Sequence, residues 1–105
     1  MKNKNIVPPD VLEAICDLAM ECEEFKDTHP PLYVERGDAL AHAYALLHQD
    51  RLSKKERLIL TKYAEEQEQT ARRMKGALAE DEQAIYAASL KAGLALRWIL
   101  QRMGF

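Results

Sequence analysis

Cysteine is scarce in this chain: there are two, Cys16 and Cys22. Six residues apart on a helix, they point in different directions and form no CxxC pair. That spacing excludes a disulfide framework and a zinc finger. Buried or half-buried free thiols in a reducing cytoplasm are the expectation. Glycine is nearly as rare, with four residues, none arranged as a phosphate-cradling loop or the elbow of a nucleophilic serine. No apolar run approaches the ~20 residues of a membrane span. The opening MKNKNIVPPD lacks the apolar core of a secretion signal, so no membrane is expected and the setting is the cytoplasm of a cell or of an infected host. A positive excess is missing too, with 15 Lys and Arg against 17 Asp and Glu. The formal net charge is −2 and the sequence pI near 5.9, which argues against direct nucleic-acid binding, because phosphate recognition needs a clustered positive field. No strand-type alternation, internal repeat or low-complexity tract interrupts the chain.

What the chain does contain is helical pattern. With 48% hydrophobic and 30% charged residues among 105, it has enough apolar surface for one core. Asp10, with Glu13 three residues on, reads as a capping pair opening a helix over 10–26, whose stripe is Val11, Ile15, Leu18, Cys22 and Phe25. His29-Pro30-Pro31 breaks it. A second helix over 31–48 carries Tyr33, Gly37, Leu40, Tyr44 and Leu47. Ser53-Lys54-Lys55-Glu56 is a capping box, starting a third helix over 53–77 with Leu60, Ala64, Ala71, Met74 and Leu78 on one face. Residues 65–70, EEQEQT, are polar nearly all round, and Gly76 weakens the end. The fourth helix spans 81–103. These segments predict an all-α fold, a compact antiparallel four-helix bundle forming a single domain over 1–105, with residues 1–8 as a short arm.

The fourth helix has two apolar stripes. Ile85, Ala88, Ala92, Leu96, Ile99 and Met103 make one. Tyr86, Leu90, Leu94 and Trp98 make another along a four-residue row. A helix apolar on two sides needs cover on two sides. Four short helices supply only one, so the second row predicts an interface with another protein or with a second copy in a homodimer.

Acidic residues gather around the proline turn. Glu13, Asp17, Glu21 and Glu24 share a face of the first helix, about 120° from its apolar stripe. Glu35, Asp38 and His42 share a face of the second, roughly 140° from its own. Both faces point to solvent, and a shared negative surface of Asp17, Glu21, Glu24, Glu35 and Asp38 predicts a basic protein partner, such as the groove of a nucleic-acid-binding complex. The Glu35-Arg36-Gly37-Asp38-Ala39-Leu40 segment resembles the E-x-G-D-x-L element of the MazG-like all-α nucleotide pyrophosphatases. The resemblance covers about residues 13–49. It implies Mg²⁺-dependent hydrolysis of a nucleoside triphosphate, with Glu35 and Asp38 as one ligand pair and Glu21 and Glu24 as the other. A second register, on Glu13 to Leu18, puts Ala14 and Asp17 at ligand positions.

With no nucleophile, glycine-rich phosphate loop or cysteine–histidine pair in the pattern, the leading expectation is binding without catalytic residues or cofactor. The chain reads as a small acidic protein-binding module of the kind found among phage- and plasmid-borne inhibitors and adaptors. The Mg²⁺-dependent pyrophosphohydrolase is the first alternative and a structural homodimer or assembly subunit the second.

Overall fold

The computed structural model describes residues 7–45 and 52–102. Four helices run in order: α1 over Pro9–Phe25, α2 over Leu32–Ala45, α3 over Lys54–Met74 and α4 over Glu80–Arg102. Each packs on its neighbour in sequence, and α4 returns to pack on α1. The cross-helix contacts fix the directions. Cys22 lies against Gly37 and Phe25 against Tyr33, and His42 lies against Glu56 and Arg36 against Glu66, so residue numbers rise on one helix as they fall on the next; Glu68–Arg97 and Glu13–Lys91 tie α4 to α3 and to α1. This is the antiparallel four-helix bundle that the periodicity predicted.

The helix ends follow local chemistry. At α3 the capping box is complete. The Ser53 hydroxyl accepts from the Glu56 backbone N–H, and the Ser53 backbone N–H donates to the Glu56 carboxylate. At its other end Gly76 adopts φ of 81°, a left-handed turn that glycine enters without a steric penalty. The helix therefore stops at Met74, short of 77, and Leu78 stands 91% exposed in the connection. At α1 the expected Asp10 cap is replaced: the helix starts one residue earlier at Pro9, and Pro8 occupies the cap without a side-chain bond. A proline at the first helical position sacrifices no hydrogen bond. The Pro30–Pro31 bond is cis, in the turn between α1 and α2.

The core is built from Ile15, Leu18 and Cys22 of α1, Ala39, Leu40 and Ala43 of α2, Leu60, Tyr63 and Ala64 of α3, and Ala92, Leu96, Ile99 and Leu100 of α4. On α4 the buried glycine at 93 lets α3 approach closely: a Cβ there would lie 3.3 Å from Cγ of Glu68. Two predicted stripes need correction. On α2 the buried face is Arg36, Ala39, Leu40 and Ala43, rotated roughly 70° from the apolar reading, and Tyr44 is exposed. On α4 the inner stripe is buried only from Ser89 onward, while Ile85 and Ala88 are exposed along an open groove beside Asp17 and Glu21 of α1. Cys22 is buried as expected, whereas Cys16 is exposed. Leu47, Met103 and most of the N-terminal arm lie outside the described residues. Among those described, no helix is long and apolar enough to cross a membrane.

Candidate functional site

The proline turn does bring the ends of α1 and α2 together, but its acids part company. Glu21 is turned inward: the hydroxyl of fully buried Tyr63 on α3 donates to its carboxylate. Burial first, and then this carboxylate, push the Tyr63 phenol far above its ordinary pKa, which keeps it protonated as the donor. Asp17 is exposed and lines a groove of about 260 Å³ with Glu21, Ile85, Ala88 and Lys91. Glu24 is exposed. Glu35 and Asp38 line a different depression of about 300 Å³, beside Ser53, Lys55 and Glu56 at the start of α3. Asp17 and Glu21 are thus together, Glu35 and Asp38 are together, and the two pairs lie in separate grooves. Among the described residues, no group of three or more His, Cys, Asp and Glu side chains converges as a metal ion would require. His42 does not share a site with Asp38. Its Nδ1 lies 2.5 Å from the Glu56 carboxylate and ties α2 to the α3 cap. Glu13 pairs with Lys91 across the α1–α4 interface.

Between the two acidic pairs lies a residue that periodicity missed. Arg36 is 2% exposed. Its Nη2 meets the Glu66 carboxylate at 2.6 Å, and its guanidinium lies over the rings of Tyr63, at 4.2 Å, and Tyr33, at 5.1 Å. Stacking on two π faces partly replaces the hydration lost on burial. Nε and Nη1 make no hydrogen bond. Tyr33 in turn packs on Phe25, His29 and Tyr63. In the sequence Arg36 stands only as the variable position of the E-x-G-D segment. It is the polar centre of the bundle and links α2 to α3. A signal was available in Tyr63, three residues after Leu60 and so on the α3 core face.

Exposed apolar side chains occur on every helix, among them Met20, Leu58 and Ile85; on the outer row of α4 they stand in line with two aromatic residues. Leu90 and Leu94 are 43% and 64% exposed, and Tyr86 and Trp98 are half-buried on either side of them. Trp98 packs inward on the core, and Arg102 covers its ring at 4.8 Å. With Ala71 and Arg72 of α3 and Lys75 just after it, the row from Tyr86 to Leu94 lines a shallow groove of about 240 Å³. Glu68, also on its lining, is held by a bidentate pair: Arg97 Nε and Nη2 donate to the two Glu68 oxygens at 2.8 and 2.9 Å. That bond holds the Glu68 carboxyl below the usual glutamate range. This part of the molecule offers no nucleophile beside a base. It offers a firm, partly aromatic surface with charged edges.

Comparison with protein-family models, curated proteins and solved structures finds no match for the chain.

Proposed function

We propose that this chain is a protein-binding module whose working surface is the outer row of α4. The observation that carries the reading is the exposure of Leu90 and Leu94 in one line with Tyr86 and Trp98, on a helix clamped by the Arg97–Glu68 pair. Solvent-facing leucines flanked by aromatic residues cost solubility unless a partner covers them, and Trp and Tyr are the side chains that interfaces favour at their anchors. The acidic surface supports a basic partner less well. Glu21 is engaged by Tyr63, and the remaining acids face separate grooves. Whether the module acts as inhibitor, adaptor or assembly subunit follows from what covers α4.

Photo-crosslinking in cells of the source organism tests the surface. A benzoylphenylalanine at position 94 is expected to give one discrete protein adduct, which Trp98→Glu abolishes. The same probe at exposed Leu58, on α3, is expected to give none. Equal labelling from both positions, or no adduct from position 94, would contradict the assignment.

A further inference from the structure

The row on α4 extends one step beyond its apolar residues at each end. Glu82 precedes Tyr86 by four, and Arg102 follows Trp98 by four; both are exposed. The full row is Glu82, Tyr86, Leu90, Leu94, Trp98 and Arg102. Read against itself in the opposite direction, it pairs Leu90 with Leu94, Tyr86 with Trp98 and Glu82 with Arg102. Hydrophobic meets hydrophobic, aromatic meets aromatic and acid meets base. The helix as a whole is polarised the same way, with Glu80, Asp81 and Glu82 in its first turn and Arg102 in its last.

Resting on the α4 surface proposed above, we infer that its occupant is a second copy of this chain, docked as an antiparallel α4–α4 pair about a two-fold axis between Leu90 and Leu94. A two-fold interface requires a patch that complements itself, and this row does. A different partner would have to supply the acid and base at matching ends, which the second copy carries already. Four-residue rows are the ridges that interlock when helices cross at about −50°. A row on a 3.6-residue helix drifts by roughly 40° per step, so its centre makes the closest contact and its ends lie at the flanks. The two leucines and two aromatics of each chain therefore form the buried middle, and the Glu82–Arg102 pairs form the rim.

Sedimentation equilibrium of the purified full chain tests this, with circular dichroism to confirm folding. The wild type is expected to dimerise in the micromolar range, as befits an interface at the small end of the size scale. Leu94→Glu, at a position 64% exposed in the monomer, is expected to weaken it by at least about 100-fold. Glu82→Arg and Arg102→Glu should each weaken it by about five- to tenfold, since like charges then face each other twice per dimer, and the double variant should recover most of the loss. A wild type that stays monomeric at about 500 µM overturns the inference. A dimer that Leu94→Glu leaves intact overturns it too. Failure of the double variant to recover refutes the antiparallel register. If position 94 captures a different protein in cells while the purified chain is monomeric, the second copy is wrong and the α4 surface stands. If position 94 captures nothing, both are wrong.

Discussion

Arg36 shows how one residue can set the rotation of a helix. Burying a guanidinium is costly unless its charge and donors are compensated. Here compensation comes from one carboxylate at the surface and two tyrosine rings below it. The need to reach Glu66 and Tyr63 together turns α2 away from its apolar stripe, so Tyr44 stays outside. Removing the counter-charge should be felt more than an ordinary surface change. Glu66→Ala is expected to lower stability by about 2–3 kcal/mol, less than for a fully buried pair because solvent reaches Glu66, while the neighbouring Glu65→Ala stays within about 0.5 kcal/mol. Tyr63→Phe, which leaves Glu21 without its buried donor, should cost about 1–2 kcal/mol. Urea denaturation midpoints at constant slope separate these cases. The Arg36 centre was illegible in the sequence because pattern reading assigns an arginine to the surface by default. Its burial depends on partners 27 and 30 residues away, on another helix.

At the scale of elements, the ends of helices were more legible than their faces. Ser53 and Glu56 announce the start of α3 through a capping geometry that needs only four consecutive residues. Gly76 marks its end through a backbone angle that other residues avoid. The Asp10 cap failed because Pro9, suited to the first helical position, starts the helix one residue earlier and leaves Asp10 inside the first turn. The α3 cap also carries a pH dependence. Burial tends to raise the Glu56 pKa, but hydrogen bonds from His42 and from the Ser53 backbone and hydroxyl outweigh it, leaving the carboxyl below the ordinary glutamate value. A depressed folded-state pKa means that the unfolded chain binds the proton more readily. The stabilisation is thus complete above the unfolded pKa, at about 4.3, and is lost as pH falls through the lower folded value. Wild-type thermal stability should drop between about pH 5 and pH 3. Glu56→Gln should be less stable than wild type at pH 7, and the gap should narrow in acid. A gap that widens as pH falls would have the sign wrong.

The whole molecule divides unevenly. The C-terminal half of α4 carries most of its buried residues, from Ser89 to Leu100, whereas its first turns leave most side chains exposed. Local periodicity was enough to predict four antiparallel helices, and it also exposed the second row of α4, because an apolar row without intramolecular cover is a property of one helix. The acidic hairpin fared differently. Its clustering in sequence was real, but helix rotation directed Glu21 to Tyr63 and sent Glu35 and Asp38 to the α3 end. Those outcomes depend on long-range packing that no local spacing encodes. The Glu82 and Arg102 ends of the α4 row were present in the sequence too.

The central claim is that this outer row is the surface the protein uses, and that a second copy covers it. Isotope-filtered nuclear Overhauser spectroscopy on a sample mixed from labelled and unlabelled chains addresses it most directly, because only contacts between copies give signals. Cross-peaks are expected between the Trp98 indole and the Tyr86 ring, and between the Leu90 and Leu94 methyls. Cross-peaks confined to other helices, or none at concentrations where the chain is fully folded, would contradict it.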